Sequence, residues 1–335
     1  MLLFRRGDTE TVQSSYAGWW LWRLNPLALL LWPLSLIFCS LVGLRRWLYQ
    51  HEILKSTVLP VPVLVVGNIS VGGNGKTPIV VSLVRLLQQR GYRPAILTRG
   101  YKSDLGKTCL LLQQGNTSEQ AGDEANMLSE LCACPVAIGA DRVAAGQSLL
   151  NQLPDLDIII CDDGLQHYAL KRNAEIIVHR SLALGNGFCQ PAGPLREPVS
   201  RFKQCDLLIE RDGPDILQQA GICWNLSDPQ QTRALESFSE QSVYALAAIG
   251  FPELFFQQLR QAGLQVIANA FGDHYAFSEA DIAGFSDKPL LVTHKDAVKL
   301  RSFGFENIWV VPLELTLSND LQLKLLNLVE STLNG

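Results

Sequence analysis

Eight consecutive residues, Ser70, Val71, Gly72, Gly73, Asn74, Gly75, Lys76 and Thr77, form the part of this chain whose types and spacing most plainly spell out chemistry. An apolar run at 61–66 precedes them and a stretch of helical periodicity over 76–89 follows. Strand, glycine-rich loop and helix in that order match the P-loop spacing, with Ser70 in place of the first glycine. Glycines let backbone N–H groups turn towards phosphate oxygens, and the helix N-terminus adds the positive end of its dipole. Lys76 is then placed to reach the β- and γ-phosphates of a nucleotide, and the Thr77 hydroxyl to bind Mg²⁺. Pro78 fits the first helical turn, where its missing N–H costs nothing.

A second acidic element completes such a site. The run Asp157 to Gly164 reads D-I-I-I-C-D-D-G, a buried strand ending in Asp162 and Asp163. A carboxylate at that strand end belongs to the metal-organising part of these folds, and either aspartate can supply it. Guanine-specific relatives need N/T-K-x-D, but Thr293-His294-Lys295-Asp296 has those letters in another order, so GTP is disfavoured. Partner-moving ATPases with a lysine early in the loop would carry it at Val71. Phosphoryl transfer from ATP to a small or lipid acceptor remains.

The elements around the loop read as a parallel sheet. Apolar segments at 61–66, 93–98, 157–161, 175–178 and 206–209 alternate with helical stretches at 76–89, 121–131 and 141–150. Continuous apolar strands between amphipathic helices predict an α/β fold, a P-loop NTPase-like, mostly parallel sheet with helices on both faces. The polar stretch 223–241 lacks apolar periodicity and reads as a boundary. Beyond it, 243–249, a helix from Pro252, Leu290–Thr293 and Ile308–Val311 predict a second, smaller α/β domain. The expected division is an N-terminal membrane anchor helix over 1–48, a nucleotide-binding and catalytic domain over 49–223, and a C-terminal domain over 224–335.

Composition supplies the reason for the anchor. The 335 residues are 47% hydrophobic and 18% charged, against about a quarter charged in ordinary soluble domains. The excess is concentrated: 26–44 has no charged residue, and five of the seven tryptophans lie in the first 47 positions. As a helix those nineteen residues span about 28 Å, close to a bilayer's hydrocarbon core. Arg23 precedes the run, and Arg45 and Arg46 follow it. The run starts late and is long for a cleaved signal peptide. Pro33 at its middle keeps open a helix lying in the membrane surface rather than entering it. The net charge of −4 argues against nucleic acid as a partner. The eight cysteines show no zinc-binding spacing, the closest pair being Cys132 and Cys134, so most are expected to be reduced and buried.

Further segments form an ordered set: G-N-I-S-V-G-G-N-G-K-T-P, T-R-G-Y at 98–101, G-D-E at 122–124, D-R-x-x-A at 141–145, D-D-G-L-Q-H at 162–167, N-G-x-x-x-P-A-G-P-L-R-E-P at 186–198, D-H at 273–274 and K-D-A-V-K at 295–299. Together they resemble the tetraacyldisaccharide 4′-kinases, membrane-bound enzymes of lipid A synthesis, over about residues 16–313. The resemblance implies that ATP, with Mg²⁺, phosphorylates the 4′-hydroxyl of an acylated glucosamine disaccharide 1-phosphate at the cytosolic face of the inner membrane. It implies no nucleic acid and no obligate protein partner. At matching positions it implies that Asp123 and His274 form a dyad activating the sugar hydroxyl, and that Asp163 and Glu197 stand with Thr77 in the metal environment. Arg142 and Arg196 would stabilise phosphate, and Tyr101 and His167 would lie near the lipid.

The dyad also has an independent rationale. A sugar hydroxyl ionises far above neutral pH, so a positioned base must take its proton, and a carboxylate can orient an imidazole for that task. Ala125, His179, Tyr275 and His294 depart from the family's usual residues, although none of them removes a proposed catalytic group. Two other readings fit the same motifs: a kinase of another membrane glycolipid or polyprenol, and a membrane-tethered ATPase switch acting on a protein.

Overall fold

The computed structural model describes residues 20, 25–72, 74–100, 108–113, 119–272 and 275–334. The described residues form two compact units, one of 18–217 with 315–335 and one of 218–314.

In the larger unit, helix α1 (Pro26–Gln50) leads to β1 (Val63–Gly67), α2 (Lys76–Gln89), β2 (Pro94–Thr98), β3 (Leu110–Leu112), α3 (Asp123–Cys132), β4 (Val136–Ile138), α4 (Arg142–Gln152), β5 (Ile158–Asp162), β6 (Ala174–His179) and β7 (Leu207–Glu210). The seven strands lie in the order β3-β4-β2-β5-β1-β6-β7. All neighbours run parallel except β3, which is antiparallel to β4. Both faces are covered, which is why the strands read as unbroken apolar runs. Along β1, Leu64 and Val66 enter one core with α2, while Val63 and Val65 enter the other with Ala145 and Leu149 of α4. β1 pairs with β5 in the register Val66↔Asp162, so the glycine loop and the two aspartates leave the sheet side by side at its carboxyl edge.

The smaller unit has a six-stranded sheet in the order β10-β9-β14-β13-β11-β12. It is built from β9 (Cys223–Asn225), β10 (Thr232–Arg233), β11 (Ser242–Ala247), α5 (Pro252–Gln261), β12 (Gln265–Ala270), α6 (Glu279–Ile282), β13 (Leu290–Thr293), α7 (His294–Leu300) and β14 (Ile308–Val311). β12, β11, β13 and β14 are parallel, and β9 and β10 extend the sheet antiparallel. The stretch 223–241, expected as a boundary, lies within this unit: Cys223, Leu235 and Phe238 are buried in its core. Strands of two and three residues are too short to register as a period in sequence. Strands β8 (Ile216–Ala220) and β15 (Leu313–Leu317) pair as a two-stranded ribbon at the two points where the chain passes between units.

Helix α8 (Asn319–Asn334) returns to the larger unit, where Leu321, Leu325, Leu326 and Val329 join the core containing Leu83 and Leu87 of α2. The division expected at 223/224 therefore differs from the compact units at its C-terminal end. Sequence periodicity shows that a helix is amphipathic but not which core receives its apolar face.

Helix α1 begins with Pro26 after Asn25, whose side chain accepts from Leu27 N–H at 3.0 Å, and continues through Pro33. Ala28 and Ser35 are buried, and Phe38 and Cys39 pack against the core of the larger unit. Over the uncharged run much of its surface is apolar and open: Leu30 is 74% exposed, Leu41 60% and Ile37 58%. Cys39 and Cys189 are joined as a disulfide, an exception to the expected reduced thiols; Cys132, Cys134, Cys161 and Cys223 are free and buried.

Candidate active site

The loop between β1 and α2 is braced from within. Ser70, where P-loops usually carry glycine, is buried; Asn74 Nδ2 donates to its Oγ at 2.8 Å and to the Gly72 carbonyl at 3.4 Å. The side chain that replaces hydrogen here thus holds the turn. Gly75 sits at φ +68° immediately before α2, and a Cβ there would lie 3.0 Å from Arg211 Nε. The backbone conformation strains any side chain here, and a Cβ would require the Arg211 side chain to give way.

Lys76 opens α2 and pairs with Asp163, Nζ to Oδ1 at 3.2 Å. Asp163 turns towards it by adopting φ +50° just after β5. On its other side Arg196 Nη1 stands 3.5 Å from Asp163 Oδ2 and within 3.4 Å of Gln166 Oε1. Burial opposes ionisation of Asp163, but Lys76 and Arg196 outweigh it and bring its pKa down to about 2. Burial likewise opposes charge on Lys76; Asp163, Asp162 and Glu124 reverse that and raise its pKa. Asp162 goes the other way. Burial, then the nearby Glu124 carboxylate, hold its pKa well above the usual carboxylate range, and Oδ1 has no hydrogen-bond partner.

Glu124 is a residue that the motif reading quoted but gave no role. It lies in the first turn of α3, and Thr77 Oγ1 donates to its Oε1 at 3.2 Å. Its place beside Asp123 in G-D-E was the available signal. Thr77, Glu124 and Asp162 bring together hard oxygen donors, including a buried carboxylate oxygen without a partner. That is the donor chemistry Mg²⁺ takes, so these residues fit the ion.

The segment after β6 closes the loop from the other side. Leu195 bridges Ser70, Val71 N–H donates to the Pro194 carbonyl at 2.9 Å, and Arg196 N–H to the Ile69 carbonyl at 2.6 Å. Asn186 folds this segment by donating to the Ala192 carbonyl at 2.7 Å and accepting from Phe188 N–H at 3.0 Å. A Cβ on Gly193 would fall 2.2 Å from Asn186 Oδ1, which explains the glycine within P-A-G-P. The same segment meets α1. Ser35 Oγ donates to the Cys189 carbonyl at 2.7 Å and accepts from Ala192 N–H at 3.0 Å, both buried. One segment therefore touches the apolar helix and the phosphate loop.

The remaining expected site residues are placed as follows. Arg142 is buried at the start of α4, with Nη1 on the Gly139 and Ala140 carbonyls at 3.2 and 3.3 Å. His167 is half-buried; burial, then Arg142, bring its pKa down to about 4, so the ring is neutral at physiological pH. Glu197 is buried with its oxygens taken by Gln166 Nε2 at 2.7 Å, Tyr168 Oη at 3.0 Å and Arg201 Nε at 3.2 Å. That makes it the carboxylate bracing the Arg196 segment, and binding a metal would require it to release one of those partners. Asp123 is the first residue of α3. Gly73, Tyr101 and His274 lie outside the described residues. Asp296 of the K-D-A-V-K segment is wholly buried, accepting from Thr293 Oγ1 at 2.7 Å and Ala248 N–H at 3.1 Å. That segment lies within α7, whose N-cap is Thr293.

Over residues 27–330 the chain matches the family model described as tetraacyldisaccharide-1-P 4′-kinase. The chain belongs to this kinase family. It is 43% identical over 304 residues to the tetraacyldisaccharide 4′-kinase of Aeromonas hydrophila subsp. hydrophila, with 89% of each chain covered. With the tetraacyldisaccharide 4′-kinase of Nitrosococcus oceani it shares 39% identity over 312 residues, covering 91% of this chain and 92% of that one. Among solved structures, LpxK from Aquifex aeolicus in complex with ATP aligns with a TM-score of 0.76 and 31% identity, over 92% of this chain and 99% of that one. The kinase is accordingly a P-loop enzyme with the mostly parallel sheet and N-terminal apolar helix expected from its sequence.

Proposed function

We propose that the protein transfers the γ-phosphoryl group of ATP to the 4′-hydroxyl of a tetraacyldisaccharide 1-phosphate, on the cytosolic side of the inner membrane. The observation that carries this reading is the segment 186–197. It holds the phosphate loop at Ser70 and Val71 and the apolar helix at Ser35, in a chain whose relatives carry that activity in their names. An acylated acceptor stays in the bilayer, so the kinase must reach it there, and the exposed leucines of α1 supply an apolar surface for that approach.

In the proposed mechanism the P-loop N–H groups and Lys76 bind the β- and γ-phosphates, and Arg196 adds positive charge where negative charge develops in transfer. Thr77, Asp162 and Glu124 would hold Mg²⁺, which would neutralise phosphate charge, with Asp163 beside them paired to Lys76 and Arg196. His274, oriented by Asp123, accepts the hydroxyl proton as oxygen attacks phosphorus. Arg142, His167 and Tyr101 are assigned to the acceptor side, His167 as a neutral hydrogen-bonding group.

The decisive experiment is transfer of labelled γ-phosphate from ATP to the tetraacyldisaccharide 1-phosphate, with the labelled position mapped. Label on the 4′-oxygen is expected. ATP hydrolysis that needs a protein partner and labels no lipid would overturn the proposal in favour of a switch, and label on a different glycolipid alone would reassign the acceptor.

A further inference from the structure

Where α1 ends, its last turns and segments from 168 to 204 line an open cleft of about 210 Å³. Four cationic side chains line it, Arg46, Lys171, Arg172 and Arg201, against one carboxylate, Glu175. Glu175 is already shared, paired with Arg172 at 3.1 Å and with Arg201. Arg201 also pairs through Nε with Glu197 at 3.2 Å. Arg46 meets only the neutral amide of Gln204 there, and among the described residues neither Arg46 nor Lys171 has an ion pair. The cleft therefore holds positive charge in excess of its carboxylates.

One of those cations is out of the ordinary. Arg201 is 2% exposed, and its Nη1 has no hydrogen-bond partner. Buried donors in folded proteins are almost always satisfied, so this guanidinium keeps unspent hydrogen-bonding capacity in the wall of a basic cleft. The cleft's position narrows the choice. Arg46 and Tyr49 follow the uncharged run 26–44, beside the half-exposed Trp47, where a bilayer presents its phosphates.

We propose that this cleft binds the phosphate of an anionic membrane phospholipid, distinct from the acceptor, and so fixes the depth at which the kinase body rides on the bilayer. The chemistry recognised is a phosphate ester, met by Arg46 and Lys171, the two lining cations without an ion pair, with Arg201 adding its charge to the wall. The inference rests on the membrane reading of α1, and the test separates the two.

Full-length protein is floated with vesicles of phosphatidylcholine alone and with vesicles containing phosphatidylglycerol, at constant ionic strength. Wild type is expected to bind both and to prefer the anionic ones. Arg46→Gln and Lys171→Gln should each lower that preference on the order of tenfold, whereas Arg45→Gln, outside the cleft, should cost no more than the roughly fivefold of a charge merely near the surface. Arg201 is left intact because its two ion pairs hold the fold. No flotation with phosphatidylcholine would remove the membrane reading itself. Flotation with equal losses in all three variants would overturn the headgroup site and leave diffuse charge. Loss of the preference in inorganic phosphate, with chloride as the ionic-strength control, would overturn it in favour of phosphate from solution. A preference seen only with the acylated disaccharide phosphate would overturn it in favour of the acceptor.

Discussion

Lys76 of the phosphate loop and Asp163 at the end of β5 are ion-paired, Nζ to Oδ1 at 3.2 Å, with the lysine mostly buried and the aspartate partly open. Each holds the other in its charged form against burial. Replacing Lys76 by alanine should therefore do two things. It removes the phosphate contact, which should lower kcat/KM about a hundredfold or more, and it leaves Asp163 with Arg196 alone. Kinetics with the labelled-phosphate assay check the first; near-normal turnover would remove the P-loop lysine from the mechanism.

Glu124→Gln tests the carboxylate beside Thr77. Removing one negative charge from the Glu124–Asp162 neighbourhood lets Asp162 ionise more readily, because Glu124 is the main charge opposing it. The variant should bind ATP while needing more Mg²⁺ for half-maximal rate, with kcat down on the order of tenfold to a hundredfold. An unchanged Mg²⁺ titration would place Glu124 outside the metal environment.

The half-buried His167 gives a pH prediction with a definite sign. Its folded pKa of about 4 lies below the ordinary value of 6.5, so between those values the unfolded chain binds the extra proton and the folded protein is destabilised as pH falls. The loss is absent above pH about 6.5 and complete near pH 4. Solvent screening of a partly open ring trims it to roughly 1 kcal/mol. His167→Gln should flatten the unfolding midpoint across that window; a slope equal to wild type would show that the ring titrates normally.

Ser35→Ala removes the donor to the Cys189 carbonyl and the acceptor for Ala192 N–H, both buried. Stranding those two groups should cost about 1–3 kcal/mol. Because the same segment carries Pro194 and Leu195 onto the phosphate loop, the KM for ATP should rise as well. A lower unfolding midpoint with an unchanged KM would mean the helix is attached to the loop segment without steadying it.

Gly75→Ala places a Cβ 3.0 Å from Arg211 Nε and 3.4 Å from Arg180 Nη2, at φ +68°. The backbone strain alone is worth about 1–2 kcal/mol, and relief would come by moving the loop or the arginines. ATP affinity should fall about tenfold or more, measured by equilibrium binding; wild-type affinity would mean that the loop absorbs the methyl group without moving.

The sequence made some of this legible and hid the rest for identifiable reasons. β1, the glycine loop and α2 announce themselves because a doubly covered strand must be apolar throughout and a phosphate cradle must be glycine-rich; α2 begins and ends at the expected residues. Asp163 was visible as a strand-end carboxylate. Its pairing with Lys76 and Arg196 depends on the β1–β5 register, which no local pattern encodes. Ser35 read as one more residue of an uncharged run, since its partners are 154 and 157 positions away. The destination of α8 was hidden for the same reason, as was the bracing role of Glu197, whose neighbours come from the turn after β5 and from Arg201.

The return of α8 to the larger unit sets an order of events during synthesis. The ribosome delivers β1, the phosphate loop and β5 long before Leu321 and Leu325, yet those leucines share a core with α2. Residues 218–314 emerge in between as a unit with cores of their own and can fold while the larger unit is still unfinished. The nascent kinase thus carries a phosphate loop on an unsealed sheet until α8 is made. A chain that stops anywhere short of α8 lacks part of the core packed on α2, so a segment made after the whole smaller unit completes the nucleotide-binding body.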